Sequence, residues 1–146
     1  MEIPERARHL SHLPPLRHLP GSALLELARV VVSRTLSAGT VVFEEGSAGQ
    51  EMYLIVEGEV RIERDTEAGG PRRLAVLSRG DIFGELALIG RAPRSARAVA
   101  HTNTTLFALD RSSLETWARK EPVPAMSFFI ELIRLESHSL RRVSND

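Results

Sequence analysis

Phe83-Gly84-Glu85-Leu86-Ala87-Leu88, followed after five residues by Arg94-Ser95-Ala96, is the stretch on which the reading of this 146-residue chain turns. It sets a glycine, a carboxylate, the start of a short helix and an arginine close together. A helix start offers free backbone N–H groups and partial positive charge, which attract an anion. Arginine adds a full charge and a fork that grips phosphate oxygens two at a time. A carboxylate beside a phosphate is repulsive unless the ligand also carries a hydroxyl for it to accept. A ribose phosphate carries both groups.

Around this stretch the apolar residues follow a period of two. Val60 and Ile62 alternate with Glu59, Arg61 and Glu63, the mark of a half-buried strand. Leu74 and Val76 continue the alternation, and further short strands fit Arg94 to His101 and Thr104 to Leu109. Turns are marked by Ala38-Gly39, Ala68-Gly69-Gly70-Pro71 and Ser78-Arg79-Gly80-Asp81. Short strands at this spacing indicate a sandwich or barrel. Toward the N-terminus, residues 2 to 12 read as a short polar helix. Ser22 is placed to cap a second helix carrying Leu24, Leu25, Leu27, Ala28 and Val31. Toward the C-terminus, Asp110-Arg111-Ser112-Ser113 opens a helix through Arg119, which Pro122 and Pro124 break. Met126 to about Val143 then forms a longer helix, with Met126, Phe129, Ile130, Ile133 and Leu140 as its apolar face.

The bulk properties fit one soluble domain with a real core. The hydrophobic share is 42% and the charged share 26%. Acidic and basic residues balance at 19 each, so no global field steers the chain to nucleic acid or anionic lipid. The absence of cysteine excludes disulfides, thiolate nucleophiles and thiolate metal sites, and suits a cytoplasmic setting. The first residues lack an apolar signal core, and no apolar run is long enough to span a bilayer. The five histidines show no ligand-like clustering, so no metal is expected. No Gly-x-Ser-x-Gly elbow and no carboxylate pair for acid–base work is present, so the chain reads as a non-enzyme without a cofactor.

Phe83 to Leu88 with Arg94-Ser95-Ala96-Arg97-Ala98-Val99-Ala100 resembles the phosphate-binding cassette of the cyclic nucleotide-binding domain family. That family includes the regulatory subunits of protein kinase A, cyclic-nucleotide-gated channels and bacterial catabolite activator proteins. Val42-Phe43-Glu44-Glu45-Gly46, Gly49, Met52-Tyr53-Leu54-Ile55 and Gly58 resemble the glycine-punctuated strands that precede the cassette in the family. The resemblance covers about Leu16 to Val143. It implies an α+β, mainly β fold: an eight-stranded β-roll, jelly-roll-like, with N-terminal helices, a short cassette helix and C-terminal helices. The expected layout is one domain over 1–146, with N-terminal helices in 1–31, the roll in 32–110 carrying the cassette at 83–96, and C-terminal helices in 111–146.

The resemblance also implies a function: binding a cyclic purine nucleotide, cAMP ahead of cGMP, and passing occupancy to the C-terminal helix as a regulatory sensor. Gly84 then permits the tight entry into the helix, and Glu85 accepts the ribose 2′-hydroxyl. Leu86 and Ala87 offer backbone N–H groups, Leu88 is an apolar hinge contact, and Phe83 counts with them among the ligand-binding residues. Arg94 pairs with the phosphate, while Ser95 and Ala96 add a hydroxyl and a backbone N–H. Phe129, Ile133 and Arg134 are candidates for a lid over the purine. The family's transcription factors carry a helix-turn-helix beyond this helix, and none is expected here, hence no direct DNA binding. The chain is then a stand-alone sensor or a piece of a larger regulated protein. Two alternatives stay open: the same fold answering another effector, and a module that dimerises or binds a partner through its last helix.

Overall fold

The computed structural model describes residues 1–90 and 92–145, with side chains as far as Leu135, Ile89 excepted. Val31–Arg111 forms one compact unit; the other runs through Met1–Val30 and resumes at Ser112. The first unit holds eight strands: β1 (Val32–Leu36), β2 (Val41–Phe43), β3 (Glu51–Glu57), β4 (Glu59–Asp65), β5 (Pro71–Ser78), β6 (Ile82–Phe83), β7 (Arg97–Ala100) and β8 (Thr104–Asp110). They pair antiparallel in two four-stranded sheets, ordered β1-β8-β3-β6 and β2-β7-β4-β5. With the helices this is the α+β, jelly-roll-like architecture expected. Tyr53, Ile55, Val60, Phe83, Ala98, Leu106 and Ala108 form its buried core, and Val42, Phe43, Ile62 and Leu77 pack against it. The alternation of β4 is therefore real. Val60 and Ile62 face the core, and burying each such side chain is worth about 1.5–3 kcal/mol.

The β4–β5 hairpin closes through Thr66 and Gly70, whose backbone N–H and carbonyl pair at 3.1 Å. Gly69 and Gly70 have φ of 82° and 109°, conformations that a side chain would strain. Beside a register shift at Ile62/Glu63, β4 and β7 carry an ionic cluster. Arg97 donates to Glu63 Oε1 at 2.8 Å from Nη2 and 2.9 Å from Nε, and Arg61 Nε donates to Oε2 at 3.2 Å. Burial opposes ionisation of Glu63, and the hydrogen bonds from Arg97 and Arg61 more than reverse this, holding the carboxyl below its ordinary value. A lowered folded value means the stabilisation is complete above the unfolded value, about 4.3, and is lost as pH falls through the folded one. Glu63→Gln is expected to cost about 1.5–3 kcal/mol at neutral pH, the worth of hydrogen bonds to a charged group. The gap from wild type should narrow on acidification below about pH 4.3. Denaturant melts across pH check this, and a gap that never narrows would rule the charged cluster out.

The helical unit begins with α1 (Ile3–Ser11), a 3-10 turn (Pro14–Leu16) and α2 (Gly21–Val30). Ser22 lies inside the first turn of α2 instead of capping it, and the Pro20 carbonyl accepts from the N–H groups of Ala23 and Leu24. The short cassette helix α3 (Leu86–Ile89) belongs to the roll, and α4 (Arg111–Lys120) and α5 (Pro122–Asn145) complete the chain. The expected break falls between Lys120 and Pro122, but the long helix starts at Pro122 instead of Met126. Proline is tolerated in a first helical turn, whose N–H groups lack helical partners anyway. Trp117 anchors this unit: its Nε1 donates to the Ala23 carbonyl at 2.9 Å, and its ring meets Phe128 edge-on at 5.9 Å.

The apolar face of α5 is also corrected. Among the described residues Ala125, Phe128 and Leu132 are buried, whereas Met126, Ile130 and Ile133 are exposed. Phe129 is half-buried, and the Leu140 side chain lies outside those described. The helix carries two apolar stripes, and packing buried the one that sets Phe128 against Trp117.

Candidate functional site

β6 delivers the chain into the cassette. Phe83 is a core residue, its ring stacked on Tyr53 with centroids 5.1 Å apart. Gly84 has φ of +76°, in the region that favours glycine, which accounts for its place at the sharp turn into the helix. Glu85 is the N-cap residue of α3 and makes no side-chain cap bond, so its carboxylate is not spent on the helix. Leu86 is exposed, while Ala87 and Leu88 are buried. The Ala87 N–H donates to the Gly84 carbonyl at 3.2 Å. Arg94, Ser95 and Ala96 precede β7, outside the strand in which they were expected. Ser95 is exposed and Ala96 buried. Arg64 Nε donates to the Ser95 carbonyl at 3.0 Å, which fixes this segment against β4.

Arg94 is the centre of the arrangement. Only 8% of it is exposed. Its backbone N–H donates to the Ser47 carbonyl at 2.9 Å, and its own carbonyl accepts from Gly46 at 2.7 Å, so the turn after β2 holds the residue in place. Nη1 donates to the Gly84 carbonyl at 2.9 Å and Nη2 to the Glu51 carbonyl at 2.7 Å. Cζ sits 4.1 Å from the centroid of the Phe43 ring. Among the described residues no carboxylate pairs with this guanidinium, and Nε is buried without an acceptor. Glu51, whose backbone carbonyl accepts from Nη2, has its carboxylate bonded by Arg34 instead, at 2.9 Å.

Burial lowers the Arg94 value from the ordinary arginine range, with Tyr53 and Glu51 acting the other way. Arginine keeps its proton regardless. The consequence is electrostatic: a buried cation is held by neutral carbonyls alone, and burying a charge without a counter-charge is costly. Burial, and after it the Glu51 carboxylate, push the Tyr53 phenol up.

A cavity of about 360 Å³ adjoins the cassette, lined by Gly49, Gln50, Ala87, Gly90, Ala92 and Arg111 among others. The residues expected at the site thus fall into three groups. Gly84, Glu85, Leu86, Ala87, Leu88, Arg94, Ser95 and Ala96 lie together around the cassette, and Phe83 supports them from the core. Phe129, Ile133 and Arg134 lie on α5 in the helical unit, where Arg134 pairs with Glu131 at 2.9 Å. Phe43, Gly49 and the Glu51 carbonyl were not read as partners of Arg94, since they lie 43 to 51 positions away and nothing local marks the pairing.

Known proteins share both the pattern and the shape. A cyclic AMP receptor protein of Thermus thermophilus is 36% identical over 121 residues, which cover 82% of this chain and 56% of that protein. A CRP-like cAMP-activated global transcriptional regulator of Mycobacterium tuberculosis is 30% identical over 125 residues, covering 86% of this chain and 54% of that one. The chain therefore spans just over half the length of these relatives. The N-terminal domain of a transcriptional regulator from Streptomyces coelicolor superposes with a TM-score of 0.77 at 29% identity, covering 94% of this chain and 93% of that domain. The model of the cyclic nucleotide-binding domain matches residues 33–121, the roll, the cassette and α4. With that match over more than half its length, the chain belongs to the cyclic nucleotide-binding domain family.

Proposed function

We propose that this chain binds a cyclic purine nucleotide, cAMP ahead of cGMP, and acts as a regulatory sensor whose two units work as one domain. The observation that carries the reading is Arg94, a buried guanidinium held by two carbonyls with no carboxylate partner among the described residues. A cyclic phosphate is the anion that such a cation lacks. Glu85, with its side chain free of any cap bond, is the acceptor for the ribose 2′-hydroxyl. Ser95 and Ala96 follow Arg94 as further donors to the phosphate.

The Gly84 carbonyl accepts from both Arg94 and Ala87. A phosphate that recruits Arg94 therefore also acts on the first turn of α3, and occupancy changes the cassette. Ligand then favours the state with the tightened cassette, a shift of population. The output passes through α5, with Phe129, Ile133 and Arg134 as proposed purine contacts. No reaction is assigned to the chain, and no cofactor. Among the described residues no helix is long and apolar enough to cross a membrane. A cytoplasmic setting, which the cysteine-free sequence suits, is part of the proposal.

Equilibrium titration with cAMP and cGMP tests it. Saturable binding of both is expected, with cAMP tighter by about tenfold or less, or about 1.4 kcal/mol. Absence of binding by either would refute the reading, and tighter cGMP would overturn the choice of purine. A second reading, an interaction module, draws on α5: Val123, Met126, Ile130 and Ile133 are exposed at three-four-three spacing, the pattern of a helix–helix seam. Mass in solution with and without nucleotide separates a pure dimer module from a sensor.

A further inference from the structure

We propose that Gly49 and Phe43 form a slot that fixes where Arg94 presents its fork, making both positioning residues for the anion. The inference rests on the reading of the cassette as a cyclic phosphate site. Phe43 supplies one wall, its ring 4.1 Å from Cζ, a distance at which the ring face attracts a cation. Gly49 supplies the other. A Cβ at Gly49 would fall 2.5 Å from both Nε and Nη2 and 2.7 Å from Cζ. It would sit against the side of the guanidinium where Nε lacks an acceptor. The Gly84 and Glu51 carbonyls hold Nη1 and Nη2, so the group is fixed in direction before any ligand arrives.

The two glycines near Arg94 differ in a way that makes the slot testable. Gly84 has a positive φ, and a Cβ there would also lie 3.3 Å from the Glu51 carbonyl, so substitution there disturbs the backbone. Gly49 has no positive φ, and the atoms its Cβ would meet are those of the Arg94 guanidinium and not backbone. Gly49→Ala is therefore tolerated by the fold but displaces the guanidinium. Preorganised donors lose most of their value when they must be re-aimed.

The experiment measures cAMP affinity and thermal melting for wild type, Gly49→Ala, Phe43→Leu and Phe43→Tyr, with the Arg94 Nε–H resonance followed by NMR. Arg94→Ala assigns that resonance by its loss. Gly49→Ala is expected to bind at least about tenfold more weakly, as expected when preorganised donors are displaced, while melting within a few degrees of wild type. Its Nε–H signal should move. Phe43→Leu should weaken binding a few-fold and lose the ring-current shift of that signal, and Phe43→Tyr should restore both. Over Arg94→Lys, which has no planar fork to fit the slot, the Gly49→Ala penalty should largely vanish. A folded Gly49→Ala that binds like wild type with an unmoved Nε–H signal overturns the slot. If Gly49→Ala does not fold, equal binding by Phe43→Leu and wild type overturns it. Failure of wild type itself to bind cyclic nucleotide is a separate outcome and sinks the functional reading instead.

Discussion

Arg94→Ala is expected to weaken cyclic nucleotide binding by about 2–5 kcal/mol, the range for truncating one partner of a buried charge pair. The expectation follows from the burial of the residue and its poverty of acidic partners. Its guanidinium already bonds two backbone carbonyls and lies on an aromatic ring. Little side-chain entropy remains to be lost on binding, so most of the charge–charge attraction is available to the ligand. Removing the side chain also deprives the Gly84 and Glu51 carbonyls of a donor, so a melt must accompany the binding measurement. A folded variant that binds within a few-fold of wild type would show that the anion site lies elsewhere.

Glu85 gives the second large effect. If its carboxylate accepts the ribose 2′-hydroxyl, 2′-deoxy-cAMP should bind wild type more weakly by about 1–3 kcal/mol, the cost of an acceptor left without its donor. Glu85→Gln should narrow that gap. The motivation is a carboxylate at the N-cap of α3 with no cap bond to make, one residue after the Gly84 turn. Its backbone is helical there, with φ of −66° and ψ of −25°, and the preceding carbonyl, that of Gly84, accepts from Arg94. Equal affinity for the ribo and deoxy ligands would remove Glu85 from the site while leaving the phosphate contact standing.

The roll was legible because its signals are local. Val60 and Ile62 alternate with charged neighbours, and Gly69-Gly70 marks a turn that only glycine makes cheaply. The cassette was legible for the same reason: glycine, glutamate and the short helix are adjacent in sequence. Arg94 was recognised, but its surroundings were not. Phe43, Gly49 and Glu51 meet it only through pairing of distant segments, and such contacts leave no trace in a single sequence. The α5 helix failed differently. Its apolar residues occupy two stripes, Ala125-Phe128-Leu132 and Val123-Met126-Ile130-Ile133, and helical spacing alone cannot choose between them. Trp117 chose, since its ring takes Phe128. Pro122 marked the end of α4 correctly, but residues 122–125 were left out of the long helix, although proline starts a helix well.

The central claim is that Arg94 is a cation aimed in advance at a cyclic phosphate. A crystal structure of the chain grown with cAMP tests this most directly. The account predicts phosphate oxygens within hydrogen-bond distance of Arg94 Nε and of Ser95, with the ribose 2′-hydroxyl against Glu85. A nucleotide seated away from the cassette, or an Arg94 that keeps its carbonyl bonds and touches no phosphate, would contradict it.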